Sequence, residues 1–151
     1  MPKKNQHPRL YITEDKIPEV RNNLTHPENI DIYNKVIAVS NKNYDCMLDP
    51  SNLTNNSNQN YLEYIEANAF LYLMDNDAKK ARKAIDGMLN YLRTLNVDVG
   101  NTADRAGLTA VYFGGLVYDW CYDHLTLSEK EEIVNLSLMI AGRGEMGWPA
   151  T

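Results

Sequence analysis

Arg105 is the residue whose type and position point most directly to an acidic ligand. It begins the nearly uncharged stretch "RAGLTAVYFGGLV", which we expect to form a buried helix. The helix dipole disfavours a guanidinium at a helix N-terminus, so a nearby anion should offset it. A planar guanidinium binds carboxylate or sulfate through paired hydrogen bonds. The offsetting anion is therefore either a bound ligand or a neighbouring acid, namely Asp98, Asp104 or Asp123.

Three tyrosines are candidates for the same substrate-binding surface. Tyr112 follows Arg105 by seven residues, which places the two near one face of a helix. Tyr61 and Tyr64 open the third predicted helix and are expected at the same rim as Arg105. The chain has ten tyrosines and two phenylalanines, and tyrosine rings stack on sugars while their hydroxyls form hydrogen bonds. Core packing is the alternative role for each of the three.

The sequence carries no pattern of metal or cofactor chemistry. Its histidines, His7, His26 and His124, lack a metal-ligand spacing such as H-E-x-x-H. A glycine-rich phosphate loop and a G-x-S-x-G elbow are also missing. We therefore predict no metal, no cofactor and no catalytic residue in this chain. Asp119 and Asp123 are acids near a helix end, and nothing in the sequence marks them as a hydrolase pair.

Composition and charge exclude several other classes of protein. The 151 residues suit one domain, and 44% are hydrophobic, which is typical of a globular chain. A net charge of −5 argues against a nucleic-acid partner, which requires a basic surface. No apolar run is long enough to span a membrane, so we predict no membrane partner. The two cysteines, Cys46 and Cys121, are interpreted as buried thiols.

The hydrophobic periodicity predicts an all-α protein built from helical hairpins. We expect an extended entry over residues 1–12, with Thr13 capping a short helix that includes Pro18 and ends near Leu24. A second helix should start near Pro27 and run to about residue 42, before a loop at 44–60. Hairpins are predicted over residues 61–95 and 103–141.

Each predicted hairpin pairs a charge-poor helix with an amphipathic one. The third and fifth helices carry few charges and should be inner helices. The fourth and sixth carry charge on one face and should be outer helices. The turn "DND" from Asp75 to Asp77 should cap the fourth helix, and Thr126 or Ser128 the sixth. Stacked hairpins of this kind build either an α-solenoid or part of an incomplete (α/α) toroid.

Three segments resemble the heparinase II/III-like polysaccharide lyases. The segment "HPRLYITEDKIPEVRNNL" is similar to the N-terminal signature of that family. "LYLMDNDAKKARKAIDGML" and "LVYDWCYDHLTLSEKEEI" resemble two of its helical hairpins, and the second is the more specific. The resemblance spans residues 7 to about 149, with its elements in the expected order.

The resemblance implies the first part of an (α/α) toroid, completed in the whole protein by further hairpins and a β-sandwich domain. It implies β-elimination on uronic-acid glycosaminoglycans similar to heparin or heparan sulfate. In that reaction the uronate carboxylate is neutralised, a base removes the C5 proton and an acid protonates the leaving oxygen. The family's tyrosine and histidine acid/base pair matches no residue here, and Arg105 is the position that matches a substrate-binding arginine.

Residues 1–151 are therefore expected to form one partial domain, an N-terminal fragment that is inactive alone. A toroid needs about six hairpins, more than this chain contains. The usual location of members of that family implies that this protein is periplasmic or secreted in a bacterium. Two other interpretations stay open: a glycoside hydrolase on a related toroid, and a non-catalytic α-helical repeat module that binds a partner.

Overall fold

A computed structural model describes residues 6–45, 59–95 and 103–145, and the all-α prediction is confirmed for them. Their elements are a 3₁₀ turn at Glu14–Lys16, α1 (Ile17–Leu24), α2 (Ile30–Ser40), α3 (Gln59–Asp75), α4 (Ala78–Thr94), α5 (Ala103–Trp120), a second 3₁₀ turn at Tyr122–His124, and α6 (Leu127–Glu145). These described ranges contain no β-strand. Most of the predicted loop at 44–60 lies outside them, as does Cys46.

The first two helices begin differently from the prediction. Thr13 precedes the first 3₁₀ turn, but its side chain makes no capping hydrogen bond. Pro18 does lie in the first turn of α1. Pro27 falls in the turn between α1 and α2 rather than in a helix. The amide N–H groups of Asn29 and Ile30 donate to the His26 carbonyl oxygen, so the turn occupies the place where the helix was expected to start.

The α3–α4 hairpin has the predicted position and turn. Asn76 adopts a positive φ of 55°, and its N–H donates to the Tyr72 carbonyl oxygen, which ends α3. The Asp77 carboxylate then accepts a hydrogen bond of 2.9 Å from the Lys79 N–H, which confirms it as the α4 cap. Gly87 lets the two helices approach closely, because a Cβ there would lie 2.9 Å from Ile65 Cγ1.

The α5–α6 hairpin departs from the prediction at its turn. The hydrophobic periodicity predicts a fifth helix from about Ala103 to Asp123, but α5 ends at Trp120 and a 3₁₀ turn follows. The α6 start is a reciprocal capping box: Thr126 Oγ1 accepts from the Glu129 N–H at 3.2 Å, and Glu129 Oε2 accepts from the Thr126 N–H at 2.9 Å. The prediction of Thr126 as a cap is confirmed.

The two hairpins stack side by side around one core. α3 packs against α2, α4 and α5, while α4 packs against α3, α5 and α6. The second half of α4 is buried on most sides, from Gly87 to Leu92, which is more than an outer helix would require. α6 is the more peripheral helix, with Ile133 and Ile140 as its fully buried apolar residues among those described.

Two ion pairs join the charged faces of α4 and α6. Arg82 donates to Glu129 at 2.7 Å, and Arg93 donates to both carboxylate oxygens of Glu132 at 2.6 and 2.7 Å. The bidentate geometry of the second pair sets the register between the two helices. Some of the charges that made these helices look outward-facing thus lie at the boundary between them.

Candidate functional site

The predicted tyrosines at the start of α3 belong to an aromatic cluster, which we call the tyrosine cluster: Tyr44, Tyr61, Tyr64 and Tyr91. Tyr61 lies 5.3 Å from Tyr44, 6.1 Å from Tyr64 and 6.3 Å from Tyr91, measured between ring centroids. Tyr61 is completely buried, and its hydroxyl oxygen lies 3.3 Å from the position of a Cβ on Gly87. The structure therefore places Tyr61 in the core between α3 and α4, where a polysaccharide does not reach it.

Tyr64 is also mostly buried, with 8% of its surface exposed. Burial raises the pKa of its hydroxyl, and the charges of Asp45 and Asp86 raise it further. The neutral phenol is thus the stable form, which suits a hydrogen-bond donor and not a base. The ring centroids of Tyr64 and Tyr44 are 5.0 Å apart, so Tyr64 packs at the edge of the core.

Tyr112 lies on an exposed part of α5, and it pairs with Tyr11 of the entry segment. The ring centroids are 6.3 Å apart, and 45% of Tyr112 is exposed. A hydrogen bond with Tyr11 raises the pKa of Tyr112 to about 12, and partial burial and the Glu66 charge add to this. Tyr112 therefore stays protonated at neutral pH, as an accessible ring with a hydroxyl.

The three tyrosines among the predicted site residues do not form one group of contacts. Tyr61 and Tyr64 contact each other, whereas Tyr112 contacts Tyr11 and Phe113. Arg105 lies in the first turn of α5, and its side chain is outside the described part of the structure. Of the three described tyrosines, Tyr112 has the surface exposure that a carbohydrate contact requires.

The most highly organised polar site was not among the predicted binding residues. Asp119, near the end of α5, is 4% exposed and binds the entry segment, which is more than a hundred residues away in sequence. One carboxylate oxygen lies 2.6 Å from His7 Nδ1. The other accepts from the backbone N–H groups of Arg9 at 2.6 Å and Leu10 at 2.7 Å.

The aromatic residues around Asp119 complete this contact. Trp120 Nε1 donates to the Leu10 carbonyl oxygen at 2.9 Å, and the His7 ring stacks on Tyr122 at 3.8 Å between centroids. We call His7, Arg9, Leu10, Asp119 and Trp120 the entry latch. Because Asp119 is occupied by three donors, it is unsuited to act as one of two free carboxylates in a glycosidase.

A small polar cavity of about 190 Å³ lies beside the entry latch. Its lining includes His7, Glu14, Tyr72, Asn76 and Asp123. Burial raises the pKa of the Tyr72 hydroxyl, and the Cys121 and Asp123 groups contribute in the same direction. Tyr72 packs edge-on against His124 at 4.9 Å. The cavity offers hydrogen-bond donors and acceptors, and the basic side chain in its lining, His7, is already bound to Asp119.

Cys121, next to the entry latch, is the buried thiol that the sequence predicted. It is completely buried, and burial raises its pKa to about 12. The thiolate is therefore strongly disfavoured, and Cys121 is a packing residue. Within residues 6–45, 59–95 and 103–145, no cluster of three or more potential ligands could hold a metal ion. No helix in the same ranges has both the length and the apolar character to cross a bilayer.

Comparison with known proteins adds no relative to this picture. A scan against models of protein families finds no match for the chain, and a search of curated proteins finds no significant one. The resemblance to heparinase II/III-like lyases therefore depends on the three sequence segments and on the contacts that their residues make in the structure.

Proposed function

We propose that this chain supplies the first helical hairpins of an (α/α) toroid in a polysaccharide lyase. The substrate class is a uronic-acid glycosaminoglycan similar to heparin or heparan sulfate, and the reaction is β-elimination. The present hairpins provide scaffold and substrate contacts, while the acid/base pair belongs to other parts of the enzyme. A periplasmic or secreted location in a bacterium is part of the same proposal.

The observation that carries the proposal is the entry latch. Two short segments within the stretches that resemble the lyase family, "HPRL" and "YDW", are far apart in sequence but bind each other directly. His7, Asp119 and Trp120 each make a specific contact in that interaction. If the two short segments resembled the family by chance, there would be no reason for their distinctive residues to contact each other. Their pairing supports a shared architecture, because it gives both motifs one structural purpose.

The arrangement of the hairpins supports the toroid part of the proposal. The side of α5–α6 that faces away from α3 and α4 exposes apolar residues, with Leu108 at 73% and Leu138 at 66% exposure. Val134 lies on the same side of α6 as Leu138 by helical periodicity. Another hairpin packed there would continue the stack in the way that α5–α6 continues α3–α4.

Among the predicted binding residues, the proposal keeps Arg105 and Tyr112 as substrate contacts. Tyr112 is exposed and protonated, so it can stack on a sugar and donate a hydrogen bond. Arg105 supplies the charge that a uronate or sulfate needs. Tyr61 and Tyr64 support the N-terminal part of α3 from within the core.

The proposal is tested by assaying the full-length protein for the absorbance of the unsaturated uronate that β-elimination produces. The substrates are heparin, heparan sulfate and other uronate polymers, with a neutral glucan as the control. Product on at least one uronate polymer and none on the glucan is expected. Absence of product on every uronate polymer would reject the lyase.

The role of Arg105 is tested separately with matched variants. Arg105→Ala should weaken binding of the acidic polymer by about tenfold, the usual loss for a charged hydrogen-bonded contact, with little change in melting temperature. Arg21→Ala on the exposed surface of α1 removes the same charge and should change affinity by less than about twofold. A large stability loss for Arg105→Ala would instead indicate an internal salt bridge.

A non-catalytic binding module is the second candidate, and the apolar side of α5–α6 favours it. Such a module would use Leu108 and Leu138 to hold a partner protein. Replacement of both by Asp would then abolish partner binding and leave the monomer stable. If instead the full-length protein loses stability on that replacement, another hairpin of the same chain covers the surface.

A further inference from the structure

An apolar cavity lies between α2 and α3, and it shares only Trp120 with the cavity beside the entry latch. Its volume is about 360 Å³, within the range of small-molecule sites. Val36 and Val39 of α2 form one wall, Ala67 and Phe70 of α3 form the other, and Trp120 closes one end. We call this cavity the α2–α3 groove.

One carboxylate stands out on the wall of the α2–α3 groove. Glu66 is half-buried, and no hydrogen bond or ion pair links its side chain to another described residue. A carboxylate that has lost part of its hydration and has gained no partner is costly for the protein. A cation brought into the groove would supply the missing partner.

The other charged and aromatic groups favour the same kind of ligand. Lys35 and Glu63 also line the groove, so the three charged side chains carry one net negative charge. Phe70 and Trp120 are 6.3 Å apart between ring centroids, and aromatic faces attract organic cations. The apolar walls require that the cation carry an apolar body.

We propose that the α2–α3 groove is a binding site for a small organic cation, an ammonium or guanidinium group on a compact apolar body. The cationic group pairs with Glu66, and the apolar body packs against Val36, Ala67 and Phe70. This site is independent of the polysaccharide proposal, because it selects a positive ligand and does not use Arg105.

Binding should depend on pH in one direction. Burial raises the pKa of Glu66, and the neighbouring Glu63 raises it further. Lys35 on α2 and Tyr112 on α5 are the other titratable groups near it. The cation pairs with the ionised carboxylate, so affinity should fall as the pH falls through this raised pKa. A neutral ligand of the same shape should show no such fall.

The experiment compares the binding of benzylammonium with that of benzyl alcohol. Binding is measured by two-dimensional NMR of the isotope-labelled protein. Benzylammonium should shift the Ala67 amide and the Trp120 indole signals and bind about tenfold more tightly than the alcohol. Glu66→Gln should remove this preference. Glu63→Gln, one turn earlier and exposed, should retain most of it. Val36→Trp should fill the groove and weaken both ligands.

Three results would overturn the proposal. Equal affinity for the cation and the alcohol would show that the site does not select charge. A preference that survives in Glu66→Gln would assign the cation to another carboxylate. Signal changes confined to residues outside α2, α3 and Trp120 would place the ligand elsewhere. Thermal melts of each variant confirm that the compared proteins are folded.

Discussion

The two ends of the helical stack are held together by different kinds of interaction. At the end where α5 stops and α6 starts, directional hydrogen bonds dominate: the entry latch, the Asp77 cap and the Thr126–Glu129 capping box. At the other end the tyrosine cluster packs around Tyr61 and the α3–α4 contact at Gly87. The first end depends on the identity of individual polar atoms, and the second on shape and volume.

The comparison predicts its largest effect at Asp119. Asp119→Ala should lower the free energy of unfolding by about 3 kcal/mol, because it leaves His7 and two part-buried backbone N–H groups without their acceptor. Urea denaturation measures the change. Asp123→Asn, at an exposed acid of the following 3₁₀ turn, is the control and should stay within about 0.5 kcal/mol. Equal effects for the two would show that the hydrogen bonds of Asp119 do not stabilise this end of the stack.

A pair of glycine substitutions tests the role of shape at the other end. Gly87→Ala should destabilise the protein by about 1–2 kcal/mol, because its Cβ would lie 2.9 Å from Ile65 Cγ1. Gly115→Ala on α5 meets nothing within 4 Å and should stabilise by up to about 1 kcal/mol through helix propensity. Melting temperatures that move in the same direction would contradict close packing at Gly87.

The capping box should have a smaller, local effect. Thr126→Ala removes the acceptor for the Glu129 N–H and should cost about 1 kcal/mol. Thr126→Ser retains the hydroxyl and should recover most of the loss. Hydrogen exchange in the first turn of α6 is the measurement, and unchanged protection there would show that the box does not hold the helix end.

The α4–α6 ion pair should have the smallest effect. Arg93→Ala should cost about 0.5 kcal/mol at low salt and less at high salt, because both partners are partly exposed. The hydrogen bond from Arg93 lowers the pKa of Glu132 below its usual value. The pair therefore stabilises the fold above the unfolded pKa of Glu132, and this is lost as the pH falls through the folded pKa. A salt-independent loss would point to packing by the arginine stem.

Local patterns in the sequence were sufficient for the helices and for two of their caps. The apolar spacing in α4 and the Asp77 and Thr126 positions depend on residues within a few places of each other. The entry latch could not be found this way, since it joins residues 109 or more apart. Its signal was present as two family-like motifs, but nothing local indicates that such motifs touch.

The placement of the tyrosines shows the same limit. Tyr61 opens a helix, and a residue at that position is often at a rim. The close approach that Gly87 allows brings α4 over Tyr61 and buries it completely. Tyr112 lies in the middle of α5, yet 45% of it is exposed, beside Tyr11. Which tyrosine is exposed is decided by neighbouring helices and not by the helix that carries it.

The most direct measurement of the central claim is the yield of unsaturated uronate when the full-length protein acts on heparan sulfate and related uronate polymers. The account predicts an absorbing product from at least one of them, and a lower yield at limiting substrate for Arg105→Ala than for Arg21→Ala. The absence of this product from every uronate polymer, with a protein shown to be folded by its thermal melt, would contradict the account.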